Sequence, residues 1–438
     1  MRMKSLPEGA LIRSGRFAKA GISAGGNYLR HYLGNSLPIK SFHQDQRTLN
    51  RKNALSIFKE LSQLRGLPLK LAQGLSMDTG LLPIEFMEVM SSAQYSVSPM
   101  NRALVRTQFK RYFNDYPENL FQLFDYEAFA AATIGQVHHA VDFDGVHLAV
   151  KVQYPNVRKS ILSDLKLLKL FGKQYFKEVN FENHLKEVHD TFLEETDYLK
   201  EGRNIQKFRE VFISKNIIFP EYKESTSNEQ VITMTFLKGD HLDQLLKKNP
   251  DQNIRNNYGQ ILWNFFHDNI NSKNNIFHAD VHPGNFLFCE DGKVGVIDFG
   301  CVKVFPEIFI KSCTRLVQKH LNGDQDGFLY ELECMGFIKN ASETSIKEKK
   351  IEQLFRKFAE ILGSIYEKPI FNFGDKKFRE GLNNLFQQGL AIKEVRGSEH
   401  FIFFNRITFG LMSILMKLES NIETKSALEI IMNRESQD

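Results

Sequence analysis

A chain of 438 residues is long enough for two or three lobes, each with a core of its own. Its formal net charge of +5 is small for that length, and acids and bases are interspersed. That excludes the concentrated basic face of a nucleic-acid binder and leaves an anionic membrane surface as a compatible partner.

The basic N-terminus (Arg2, Lys4, Arg13, Arg16, Lys19) is broken by glycines at 21–26 and no apolar core segment follows, so no secretory signal is expected. From Asn53 onward Leu55, Phe58, Leu61 and Leu64 recur at three-residue steps, predicting a helix with one apolar face that ends at Gly66 and Pro68. Lys70 and Gln73 then share a helix face and can present a cation and an amide to one site, although most such pairs are solvated surface. Another helix is expected from Pro83 through Ala93.

From Phe124 the pattern becomes strand-like. Ala130, Ala131, Ala132, Thr133, Ile134, Gly135 and Gln136 stand where a nucleotide-binding lobe places its phosphate loop. Alanine's Cβ resists positive φ, so this loop is expected to be stiffer than a GxGxxG turn. Residues 137–143 and 146–153 predict two strands around Asp144-Gly145. Lys151 lies inside the second among apolar neighbours, where kinases keep a lysine for the α- and β-phosphates. Taken alone, it would read better as an edge-strand lysine whose stem snorkels. Residues 181–211 predict a charged helix in which Glu201 is the candidate partner of Lys151, most of the other acids being solvated surface. Two more strands are expected at 217–219 and 231–237, with Met234 near the nucleotide edge and a hinge at 238–240.

Beyond the hinge the pattern is mainly helical, interrupted by the most informative stretch of the chain. His278-Ala279-Asp280-Val281-His282-Pro283-Gly284-Asn285 holds a carboxylate and a carboxamide five residues apart. Apolar residues 286–288 and 294–297 flank Asp291-Gly292, predicting a hairpin that returns Asp298-Phe299-Gly300 beside Asp280. Phosphoryl transfer needs such a set: a carboxylate to orient the acceptor, and an Asn and an Asp to hold Mg²⁺ on the phosphates. A capping turn explains Asp280 or Asn285 singly, but not the matched hairpin and the second Asp. His278 and His282 have a metal-ligand spacing, but Pro283 and Gly284 argue against the helix it would require. The four cysteines (289, 301, 313 and 334) lack CxxC spacing, so reduced thiols in a cytoplasmic setting are expected. No run reaches the length of a membrane span; the nearest, 407–416, is flanked by Arg406 and Lys417 and reads as a buried or interfacial helix. Any membrane attachment is therefore expected to be peripheral.

These segments together resemble the UbiB/AarF-type atypical kinase-like family, associated with coenzyme Q and other isoprenoid-lipid pathways. The matching motifs are AAATIGQVH from Ala130, LAVKVQYP from Leu148, Glu195-Thr196-Asp197 followed by Glu201, and the stretches ending at Asn285 and Gly300. Lys70 to Gln73 resembles the family's KxGQ signature with Ala72 in the glycine's place, and Val281 replaces a proline of HADPHPGN. The resemblance implies an α+β, atypical protein-kinase-like fold. Its parts would be an N-terminal helical extension over the cleft (1–123), a small mixed N-lobe with an antiparallel sheet (124–238) and a mostly helical C-lobe (239–438). It implies that Lys70 pairs with Glu195, Lys151 holds phosphates, Glu201 orients Lys151, Asn285 and Asp298 bind Mg²⁺, and Asp280 acts as base or water-orienting group. The implied ligand is ATP or ADP with slow ATP hydrolysis, and the implied partners are isoprenoid-lipid precursors at a membrane. Two other functions are compatible with the turn. One is a small-molecule phosphotransferase like the aminoglycoside and choline kinases, which lack the KxGQ extension. The other is a non-catalytic, nucleotide-dependent scaffold.

Overall fold

A computed structural model describes residues 48, 51, 52, 55, 99–131, 134–158, 193–213, 216–272, 274–338, 346–391 and 400–434. Of the helix expected over 53–64 only Leu55 is described, in helical conformation; the helix expected over 83–93, together with Lys70, Gln73, Ala132 and Thr133, lies outside these residues. The described chain forms two compact units: residues up to Gly202 with Tyr222–Phe236, and Arg203–Glu221 with Leu237 onward.

In the first unit, helix α1 (Arg102–Phe113) starts where the Asn101 side chain accepts the Leu104 N–H at 2.9 Å, capping an otherwise orphaned donor. It buries Val105 and Phe109, the latter edge-on to Phe121 and Phe124. Strands β1 (Leu123–Ala131), β2 (Gly135–Val141) and β3 (His147–Gln153) form an antiparallel meander. The β2–β3 turn forms because Asp142 Oδ1 accepts the N–H groups of Asp144 and Val146, and Gly145 takes φ +80°. Strand β4 (Ile217–Ile218) follows in sequence but pairs in the second unit; β5 (Val231–Thr235) completes the sheet in the order β1-β2-β3-β5. Leu148, Val150 and Val152 point to one face and are fully buried, the period-two signature of a strand with a covered side.

Two expectations need correction here. The alanine-rich loop is shorter than predicted: Ala130 and Ala131 continue β1, paired with Val137 and Gln136, while Gly135 and Gln136 already belong to β2. A Cβ that disfavours positive φ favours extended pairing, so the strands run on toward the tip. The helix expected over 181–211 is also interrupted in its described part. Residues 193–195 are helical, the chain turns at Thr196, and α2 (Tyr198–Val211) begins anew. Asp197 causes the restart by accepting the Lys200 N–H at 3.1 Å, an N-cap bond, while Thr196 Oγ1 donates to the Leu193 carbonyl.

The second unit is largely helical. Helix α3 (Gln252–Asn271), capped by Asp251, carries a buried face of Tyr258, Ile261, Leu262, Trp263, Phe265 and Ile270. Short strands follow: β6 (Ile276–His278), β7 (Phe286–Phe288), β8 (Val294–Val296) and β9 (Val302–Val304). The hairpin β7–β8 turns at Gly292, φ +81°, and β4 adds in parallel to β8. Asp240, in the expected hinge, exchanges both backbone hydrogen bonds with Phe288. Helices α4 (Glu307–Leu321), α5 (Gln325–Cys334), α6 (Ile346–Gly363), α7 (Lys376–Ala391), α8 (His400–Leu418) and α9 (Lys425–Asn433) complete the described chain. The expected apolar stretch 407–416 is the middle of α8, with Ile407, Leu411, Ile414 and Leu415 in the core. Phe277, Phe305, Phe309 and Phe404 meet edge-on around it, so these phenylalanines serve as core. No helix among the described residues is long and apolar enough to cross a membrane.

Candidate active site

In the first unit, the pleat sets the position of Lys151. Register pairs Lys151 with Val137 and Ile232, and Ala149 with Met234, so Lys151, Ala149 and Met234 share one face of the sheet. Lys151 Nζ lies 3.1 Å from both oxygens of Glu201 and 5.1 Å from the Tyr198 ring centroid. Lysine and glutamate are 8% and 2% exposed, so the ion pair is nearly excluded from water. Two further polar side chains of the expected site are buried in this unit. Glu195 is one; its expected partner Lys70 lies outside the described residues. Gln136 is the other, and its side chain is engaged within the unit: its amide oxygen accepts the Met100 N–H, and its nitrogen contacts His138 Nε2 at 2.8 Å. His138 Nδ1 donates to the Asp125 carbonyl, which leaves Nε2 as acceptor for that amide, and burial holds the imidazole below its ordinary pKa. At Gly135 a Cβ would stand 2.5 Å from the Val152 carbonyl oxygen and 2.9 Å from the Tyr198 hydroxyl, so only glycine lets β2 approach β3 there.

In the second unit, two strand pairings bring the catalytic-type residues together. β6 pairs with β9, and Ala279 N–H donates to the Cys301 carbonyl, so Asp280 leaves its strand beside the segment that follows Gly300. The β7–β8 hairpin pairs Phe286 with Val296, and Ile297 N–H donates to the Asn285 carbonyl, which sets Asn285 beside Asp298. Asn285 Nδ2 donates to the Asp280 carbonyl at 2.9 Å and to Asp280 Oδ2 at 3.0 Å. Asp298 Oδ1 accepts the Gly300 N–H at 2.9 Å, and Phe299 is buried against Phe208 with its carbonyl held by Asn204. Asp280, Asn285 and Asp298 are all half-buried.

The histidines are supports. His278 Nε2 donates to the Asp298 carbonyl, and His282 Nδ1 accepts the Gly284 N–H at 3.0 Å, which closes the Pro283–Asn285 turn. Burial keeps both below their ordinary pKa, and the strand-and-turn backbone confirms that they do not share a helix face.

One site residue escapes sequence reading. Arg406 of α8 forms an ion pair with Asp280 Oδ1, so Arg406 and Asn285 between them engage both oxygens of that carboxylate. One turn on, Gly410 lies so close to the loop that a Cβ would stand 2.1 Å from the Val281 carbonyl oxygen. The only signal in the sequence is a basic residue at the start of an apolar helical run.

Chemically, Asn285 and Asp298 offer oxygen ligands, the donor type that Mg²⁺ selects. With Nδ2 committed to Asp280, the Asn285 amide oxygen is the atom left for a cation. Two protein ligands suit an ion that keeps water and phosphate oxygens in its remaining positions.

Residues 92–331 match the family model described as the ABC1 atypical kinase-like domain. The chain is 25% identical over 391 residues to a probable serine/threonine-protein kinase, abkA, of Dictyostelium discoideum, covering 85% of this chain and 69% of the relative. It is 26% identical over 393 residues to the mitochondrial atypical kinase coq-8 of Caenorhabditis elegans, of which the match spans only 50%. Among solved structures, Rv3197 of Mycobacterium tuberculosis, in complex with erythromycin, is similar with a TM-score of 0.63 and 23% identity. That likeness covers 87% of this chain and 96% of the other.

Proposed function

Since the chain belongs to the ABC1 (UbiB-type) atypical kinase-like family and has its kinase-like fold, we propose that it binds ATP or ADP with Mg²⁺ and hydrolyses ATP slowly in support of isoprenoid-quinone or membrane-lipid metabolism. The observation that carries this reading is the buried Lys151–Glu201 pair. A lysine and a glutamate fifty residues apart, both nearly excluded from water, are costly to keep unless the cation has a task, and phosphate binding is the task a kinase-like sheet gives it.

The roles follow from chemistry. Lys151 holds phosphate oxygens and Glu201 fixes its position. Ala149 and Met234 offer an apolar surface on the lysine's face of the sheet, suited to a purine. Asn285 and Asp298 hold Mg²⁺, which when bound neutralises phosphate charge. Asp280 orients the attacking water or hydroxyl. In this reading residues 1–123 are an extension whose Lys70 pairs with Glu195, 124–238 the sheet lobe and 239–438 the helical lobe. Isoprenoid-lipid precursors at an anionic membrane surface are the partners that the resemblance to the UbiB/AarF-type family implies.

The test is Mg-ATP hydrolysis by the purified protein, with and without anionic liposomes, beside an Asp298→Asn control. Turnover that is slow alone, rises with liposomes and vanishes in the control supports the proposal. Nucleotide binding without turnover in any condition overturns the ATPase and favours a small-molecule phosphotransferase or a scaffold. The phosphotransferase alternative draws on the erythromycin held by Rv3197, and a screen of small hydroxylated acceptors would then follow.

A further inference from the structure

Inside the helical unit lies a cavity of about 20 Å³, lined by Leu262, Phe265, Asn269, His278, Ile407 and Leu411 among others. Its only polar lining side chains among the described residues, Asn269 and His278, are 2% and 3% exposed. The hydrogen of His278 Nε2 is committed to the Asp298 carbonyl, and the Asn269 amide nitrogen to the Phe265 carbonyl. What remains are His278 Nδ1 and Asn269 Oδ1, both buried and both without a hydrogen-bond partner among the described residues. Two acceptors cannot satisfy each other, and buried polar atoms are rarely left unmatched.

We propose that this cavity is a binding site for one water molecule, which donates one hydrogen to His278 Nδ1 and the other to Asn269 Oδ1. Size and chemistry select that ligand. A water needs roughly 10–15 Å³ of such space and at least two polar partners, and both conditions are met. An ammonium ion would bring four donors to two acceptors, and an alkali cation would find the rest of its coordination shell occupied by phenyl and aliphatic carbon. The water ties α3, through Asn269, to the first residue of the catalytic-type turn. It thereby fixes the His278 ring from which the Asp298 carbonyl hangs. That positioning role rests on the proposed reading of Asp298; the water site does not.

The test uses the intact chain and requires no turnover. A crystal structure fine enough to show ordered water should place one density peak within hydrogen-bond distance of both atoms. The His278 Nδ1 ¹⁵N shift should report an acceptor that receives a hydrogen bond, and in Asn269→Leu it should move toward the value of an unbonded nitrogen while the melting temperature falls by about 3 °C or more. A dry cavity with an unbonded Nδ1 in the unaltered protein overturns the proposal. So does an Asn269 amide turned to donate directly to His278. Both of these readings come from the unaltered protein and decide the matter even where the variant does not fold.

Discussion

Arg406 and Asp280 form an ion pair across 126 residues of sequence, each side chain about a quarter exposed. With Asn285 on the other carboxylate oxygen, the candidate base is held from two sides, by its own turn and by a helix more than a hundred residues away. Arg406→Ala should lower the kcat of ATP hydrolysis by roughly ten- to a hundredfold, with KM for ATP nearly unchanged, because an orienting charge acts on the attacking group. Partial solvent screening limits its effect on stability to about 1 kcal/mol. Steady-state kinetics separate the two effects, and millimolar guanidinium should restore part of the lost kcat. A rise in KM alone would assign Arg406 to nucleotide binding instead.

The Lys151–Glu201 pair lends itself to a paired substitution. Glu201→Ala removes a counter-charge from a buried ammonium and should destabilise the protein by about 3 kcal/mol. The double variant Lys151→Met, Glu201→Leu should recover most of that stability, since apolar replacement of a buried pair is often neutral. It should not recover nucleotide binding. Urea unfolding and titration with a fluorescent nucleotide measure the two effects side by side. Tight nucleotide binding by the double variant would remove the phosphate role of Lys151.

Gly410 is a packing constraint on the turn. Alanine there would press its Cβ into the Val281 carbonyl, and neither the helix nor the loop backbone yields cheaply. Gly410→Ala should cost about 2 kcal/mol and reduce turnover by shifting Asp280, both readable by calorimetry and an activity assay. Gly323→Ala is the contrasting control. It creates no clash but meets φ +70°, so it should cost about 1 kcal/mol and leave turnover unchanged.

Acid should destabilise the helical unit through His267. Its Nδ1 donates to the Trp263 carbonyl at 2.8 Å, its Nε2 accepts the Tyr366 hydroxyl at 2.9 Å, and burial lowers its pKa from 6.5 to about 4. The unfolded chain then binds a proton that the folded one refuses. Stability therefore falls as pH drops through 6.5 and continues to fall until about 4, by roughly 3 kcal/mol in all. His138, His278 and His282 are shifted the same way by burial and add to the slope. Melting temperatures between pH 7 and 5 should decline, and less steeply in His267→Phe. An equal decline in that variant would assign the acid sensitivity to other groups.

What the sequence by itself determined was local. The Asp291-Gly292 hairpin, the Asp144-Gly145 turn and the strand holding Lys151 are each specified within about ten residues, by a glycine free to take positive φ and by apolar alternation on either side. The spacing of Asp280, Asn285 and Asp298 was legible for the same reason, since one hairpin connects them. Tertiary structure decided whatever depends on segments distant in the chain. β4 follows the sheet strands in sequence yet pairs with β8, and Glu201 reaches Lys151 only because Asp197 restarts a helix in front of it. The extent of the alanine loop was settled by cross-strand pairing, which a string of alanines does not announce. Arg406 and Gly410 looked like the flank and the interior of an apolar helix. Their bearing on Asp280 and Val281 comes from packing that brings α8 against the turn, and no spacing along the chain encodes a contact of that range.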